Sequence, residues 1–120
     1  MGGHLKMEKF ATARDVAQTL RPDHPVYCFR PEVLKADALA FKAAFPGKTA
    51  YAVKTNGELL VLKTLAEAGI DCFDAASPAE FEAVRSVAPD AELLYTHPVK
   101  AQSDIRLALE TYGIRVMALD

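Results

Sequence analysis

Cysteine is scarce, with 2 in 120 residues. Cys28 and Cys72 stand far apart, with no Cys-x-x-Cys pair and no zinc-ligand spacing, so no metal site is expected. Both are read as reduced thiols of a cytoplasmic protein, because disulfides are rare in that compartment. No apolar run approaches the ~20 residues that cross a bilayer. The N-terminus, Met1-Gly2-Gly3-His4-Leu5-Lys6-Met7, lacks the apolar core of a secretory signal. A net charge of -2 provides neither a broad basic field for nucleic acid nor an acidic tail. A glycine-rich phosphate loop, a nucleophile elbow and an HExxH pair are missing too. Gly47-Lys48-Thr49 lacks the earlier glycine of a P-loop and precedes a strand, so it is set aside.

What is present is ordinary for a soluble folded domain: 51% hydrophobic and 25% charged residues. The first residues read as a mobile start followed by a short helix from about Thr12 to Leu20. Pro22 and Pro25 bracket a loop, and Pro25-Val26-Tyr27-Cys28-Phe29 reads as a strand. Pro31 suits the first position of a helix. Leu34, Ala38, Phe41 and Phe45 then recur at helical spacing as one apolar face, and Pro46-Gly47 stops it.

Beyond that point the pattern repeats. Short apolar runs begin at Thr49, Ile70, Glu92 and Ile114, so the starts lie 21, 22 and 22 residues apart. Each gap holds a helical pattern: Leu59, Leu62 and Leu65; then Phe81, Val84 and Ala88; then Ile105, Ala108, Leu109 and Tyr112. Gly69 and Gly113 sit where helices end in a left-handed residue. Ser77-Pro78-Ala79-Glu80 has the form of a capping box. Strands and helices alternating at a fixed period imply an α/β fold with parallel strands and right-handed crossovers. An open doubly wound sheet and part of an eight-stranded (β/α) barrel both fit. The compact period of ~22 residues leans toward the barrel, of which four strands are about half.

In either architecture function gathers at the carboxyl ends of the strands. Those ends carry Lys54-Thr55-Asn56, Asp74-Ala75-Ala76-Ser77, Thr96-His97-Pro98 and Asp120. Lys54 is the sharpest candidate, because an amine in a partly dry site is a nucleophile toward aldehydes, pyridoxal phosphate above all. The competing reading is a lysine that snorkels its ammonium into water, and spacing alone favours it. His97 fits a hydrogen-bonded loop residue, Asn56 a helix cap, and Glu80 the capping box.

Tyr51-Ala52-Val53-Lys54-Thr55-Asn56, with Val61, Leu62 and Leu65 and the closing Gly69, resembles a known motif. It is the cofactor-lysine motif of the ornithine, diaminopimelate and arginine decarboxylases, whose fold is alanine-racemase-like; Thr55 is a mild departure. Gly69 to Val84 is similar to the family's next strand and helix. Tyr95 to Ala108 is similar to the ornithine decarboxylase version of the third unit, with His97 in place of an Asn. Pro25 to Phe29 resembles the strand that joins a second, β-rich domain. The resemblance covers about Pro25 to Asp120 and implies two parts. Residues 1–30 would be an N-terminal segment with a strand of the second β domain, and residues 31–120 the first half of a (β/α)8 barrel.

The resemblance further implies that Lys54 forms a Schiff base with pyridoxal 5'-phosphate, with Asp74 and Glu80 as cofactor-binding carboxylates near it. Glu80 therefore has two readings, cap and partner of the lysine. The implied protein is a basic amino-acid decarboxylase of polyamine biosynthesis, ornithine decarboxylase-like, working as a homodimer in the cytoplasm. Diaminopimelate or carboxynorspermidine decarboxylase and a non-catalytic cofactor-binding half-barrel are the alternatives. The family's glycine-rich phosphate site and its later Cys and Asp residues have no counterpart in these 120 residues.

Overall fold

The computed structural model describes residues 7–119. The first six residues of the mobile start read ahead of Thr12, and the strand-end Asp120, lie outside the described residues. The chain divides into two compact units, Met1–Arg30 and Pro31–Asp120. In the first, helix α1 (Ala13–Leu20) opens on Thr12, whose side-chain oxygen accepts from the Asp15 N–H at 3.1 Å. That bond satisfies one of the donors a helix start leaves unpaired. The helix closes at Arg21, which adopts a left-handed φ of 43°. Pro25–Phe29 is not a strand here. A strand needs a neighbour for its backbone groups, and this segment has no ladder partner among the described residues.

The second unit begins with α2 (Pro31–Ala44), with proline in its first turn as its fixed φ favours. Four strands follow: β1 (Tyr51–Ala52), β2 (Cys72–Asp74), β3 (Glu92–Tyr95) and β4 (Val116–Met117). Between them run α3 (Leu59–Glu67), α4 (Pro78–Val87) and α5 (Gln102–Glu110). All pairings are parallel and the sheet order is β1-β2-β3-β4. A doubly wound sheet reverses its order at a switch point, and this one does not. The order is that of the first half of a (β/α) barrel, with each helix laid over the sheet between its two strands.

Register explains the core. Tyr51 lies opposite Phe73 and Phe73 opposite Leu93, so these side chains share a face. Phe73, Leu93 and Tyr95 are buried there with Leu62, Leu65, Phe81, Val84 and Ile114 from the covering segments. Phe81 meets Tyr95 edge-on, with centroids 5.0 Å apart at 80°, the arrangement the ring quadrupoles favour. Cys72, Asp74, Glu92, Leu94 and Val116 alternate onto the opposite face. Apart from Cys72 they are only part-buried or exposed. That is the face a barrel turns inward.

The punctuation follows the sequence reading. Gly69 and Gly113 have φ of 91° and 65°, where a side chain would be strained. Three apolar faces differ from it; in α5 Ala108 is buried but Leu109 is exposed. In α2 only Ala38 is buried and Leu34 packs against the core, whereas Phe41 and Phe45 are about half exposed and stack on each other 5.6 Å apart. In α3 Leu59 is exposed, and Val61, Leu62 and Leu65 fill the core. Periodicity marks the side of a helix but not how far the sheet beneath it extends.

Candidate functional site at the strand ends

Lys54 stands on a short 3₁₀ turn, Val53–Thr55, directly after β1. The turn is held from below and from the side. Val53 is buried at 1% exposure, and a side chain at Gly57 would meet Val53 Cγ1 at 3.4 Å. Tyr51 donates its hydroxyl to the Asn56 carbonyl at 3.1 Å, which spans the turn. Burial pushes the Tyr51 phenol above its usual range, so it remains a protonated donor. Asn56 is not the cap of α3, as read from sequence; its Oδ1 accepts from the Glu58 N–H at 3.1 Å, and Glu58 holds the cap position. On this rigid platform Lys54 is exposed, and its amine has no hydrogen-bond or ion-pair partner among the described residues.

Asp74 closes β2 on the neighbouring strand, opposite Ala52. Both of its carboxylate oxygens are engaged by one residue: Thr96 Oγ1 donates to Oδ2 at 2.6 Å and the Thr96 N–H to Oδ1 at 3.3 Å. Glu80 caps α4. Its N–H donates to Ser77 Oγ at 3.4 Å, and its carboxylate accepts the Ala76 N–H at 2.5 Å. The box is therefore shifted by one residue from the usual reciprocal pair, and it holds the loop leading away from Asp74. The structure gathers Lys54 and Asp74 on adjacent strand ends. Neither Asp74 nor Glu80 bonds to Lys54 among the described residues.

The next strand end is built around Lys100, to which sequence reasoning gave no role. Lys100 donates to the carbonyls of His97 at 2.7 Å, Pro98 at 3.3 Å and Ala118 at 2.7 Å, and it lies 5.7 Å from the centre of the Tyr95 ring. It thereby ties the loop after β3 to the end of β4. His97 turns its Nδ1 back on Val99, 2.8 Å from the carbonyl oxygen and 3.2 Å from the nitrogen, so it is a loop residue as expected. Both cysteines are free, Cys28 exposed and Cys72 buried. Among the described residues no cluster of three or more possible metal ligands occurs, and no helix is long and apolar enough to cross a membrane. A shallow apolar groove of about 290 Å³ lies between α2 and β1, lined by Leu34, Phe41 and Tyr51 among others; it does not include Lys54.

These features define a class: an α/β domain that presents one unpaired lysine at the strand-end rim, beside a fixed carboxylate. The donor set suits an aldehyde cofactor, since a primary amine free of competing partners is what a carbonyl requires. Residues 32–120 match the family described as "Pyridoxal-dependent decarboxylase, pyridoxal binding domain". The chain belongs to that family, and its cofactor is pyridoxal 5'-phosphate. It is 31% identical over 112 residues to an ornithine decarboxylase of Panagrellus redivivus, a match covering 92% of this chain and 25% of that protein. It is 38% identical over 71 residues to antizyme inhibitor 2 of Rattus norvegicus, covering 58% of this chain and 15% of that protein. To antizyme inhibitor 2 of Xenopus laevis it is 40% identical over 84 residues, covering 68% and 18%. No solved structure matches the chain significantly. The chain thus spans about a quarter or less of the curated relatives it resembles.

Proposed function

We propose that Lys54 is the amine that anchors pyridoxal 5'-phosphate, in a protein whose activity is ornithine decarboxylase-like removal of carbon dioxide from a basic amino acid. The observation that carries this reading is the unpaired Lys54 amine on a turn locked by Tyr51 and Val53. A snorkelling lysine needs no such platform, because water solvates it anywhere on the surface. When bound, the cofactor supplies an electron sink for the pair left behind as carbon dioxide departs. The chain's own residues do the positioning. Lys54 supplies the nucleophile, and Asp74 supplies a carboxylate whose orientation is fixed. Glu80 holds the loop that continues from Asp74. Asp74 and Glu80 are accordingly assigned to the cofactor side of the rim. The family relationship supports a small amino-acid substrate, a homodimer, a cytoplasmic setting and a place in polyamine biosynthesis.

A second reading is a cofactor-binding protein without catalysis. It is favoured by a specific observation: two of the relatives bear the name of an inhibitor and not of an enzyme. One experiment separates the readings. The protein is incubated with pyridoxal 5'-phosphate, reduced with borohydride and mapped by mass spectrometry, with Lys54→Ala as control. Label confined to Lys54, together with carbon dioxide released from ornithine, lysine or diaminopimelate, is the expected result. Label without carbon dioxide supports the second reading. Label absent from Lys54 in folded protein overturns both.

A further inference from the structure

We infer that Thr96 is a positioning residue: it fixes the Asp74 carboxylate at the rim for work on the cofactor, an inference that rests on the reading of Lys54 as the cofactor lysine. One residue grips both oxygens of Asp74, by its hydroxyl at 2.6 Å and its backbone N–H at 3.3 Å. A carboxylate held at one point turns freely about its terminal torsion, which is broad and shallow. A hold at two points fixes the plane of the group.

The location argues that the hold serves more than the sheet. Between β2 and β3 the backbone ladder ends with the Ala75 N–H donating to the Leu94 carbonyl at 3.0 Å. Asp74 is in register with Leu94, so Thr96 lies two residues further along, past the last ladder bond. The pair therefore joins the two strands where the sheet has stopped and the rim begins. On its other flank Asp74 faces Ala52 of β1, two residues before Lys54. Thr96 thus occupies the β3 side of the carboxylate and leaves the β1 side, which carries the lysine. Each carboxylate oxygen has a second lone pair, so Asp74 can accept another donor while it is held. Asp74 and Thr96 are both half-buried, where a fixed charge is screened less than on open surface.

The test measures the absorbance band and dissociation constant of pyridoxal 5'-phosphate for the parent protein, Thr96→Val, Thr96→Ser, Asp74→Asn and the double variant Asp74→Asn/Thr96→Val. Thr96→Val keeps the shape but removes the hydroxyl donor; Thr96→Ser keeps the donor. Losing a hydrogen bond to a charged group weakens binding about tenfold or more when the group acts on the ligand. Thr96→Val is expected to bind about tenfold more weakly, with its band displaced in the same direction as in Asp74→Asn, and Thr96→Ser is expected to restore both. In the Asp74→Asn background, Thr96→Val is expected to add nothing, because the group it positions has already been changed. Should Thr96→Val not fold, Thr96→Ala replaces it. Parent-like band and affinity in the folded hydroxyl-less variant overturn the inference, as does a full additional loss in the double variant. If the parent itself forms no band and no Lys54 label, the cofactor reading has failed and the role of Thr96 falls with it.

Discussion

Tyr51 and Asn56 are joined across the lysine turn: the Tyr51 hydroxyl donates to the Asn56 carbonyl at 3.1 Å, and Lys54 lies between them in the chain. The aromatic residue that opens the motif is thus a strut for the turn as well as part of the core. Its ring also meets Phe73 edge-on, at 6.3 Å and 77°, so core and turn are braced through one side chain.

Tyr51→Phe keeps that ring contact and removes only the strut. The loss of one neutral hydrogen bond is expected to cost about 1 kcal/mol in denaturant unfolding. A larger effect is expected on labelling of Lys54 by pyridoxal 5'-phosphate, since the turn that presents the amine is loosened. Parent-like labelling rates would show that the turn is held without Tyr51.

Alkaline pH is expected to weaken the fold. Burial pushes the Cys72 thiol and the Tyr51 and Tyr95 phenols above their usual ranges. Below about 8.5 for the thiol and about 10 for the phenols, folded and unfolded chains are equally protonated and these groups contribute no pH dependence. Above those values the unfolded chain loses protons first, so stability falls as pH rises toward the folded-state values. Urea midpoints measured from about pH 7 to about pH 10.5 should decline, and Cys72→Ala should flatten the first part of that decline. A parent midpoint that stays level across this range would contradict the burial argument.

Local rules made much of the architecture legible. Each strand-helix unit must cover its own part of the sheet, so the apolar runs at Thr49, Ile70, Glu92 and Ile114 carried the order of elements. Gly69, Gly113 and Ser77 marked helix ends because their roles depend on backbone geometry within a few residues. Lys54 was visible for the same reason, as a charge closing an apolar run. Features that depend on register were hidden. The Thr96 grip on Asp74 joins residues 22 positions apart, and Lys100 reaches the Ala118 carbonyl over 18. No composition rule announces such pairs, because they exist only once neighbouring strands have aligned. Pro25–Phe29 shows the converse limit: its β-prone composition is plain, but a ladder partner is what makes a strand.

The sheet has β1 at one edge and β4 at the other. Among the described residues β1 pairs only with β2, and β4 only with β3, so each presents backbone groups without a ladder partner there along one side. Apolar surface accompanies both edges. Leu39, Phe41 and Phe45 are exposed at 55%, 57% and 47% on and just after α2, which precedes β1, and Val116 and Leu119 at 49% and 94% on and after β4. Unpaired parallel edges flanked by apolar side chains template pairing with another chain. Residues 1–120 by themselves are therefore expected to self-associate, giving a light-scattering mass above that of one chain that grows with concentration. Val116→Lys places a charge on the β4 edge, as natural edge strands do, and is expected to lower that mass without unfolding the core, since Val116 already faces water. A sharp monomer from the parent chain at every concentration would mean that these edges are protected in solution by something other than a second chain.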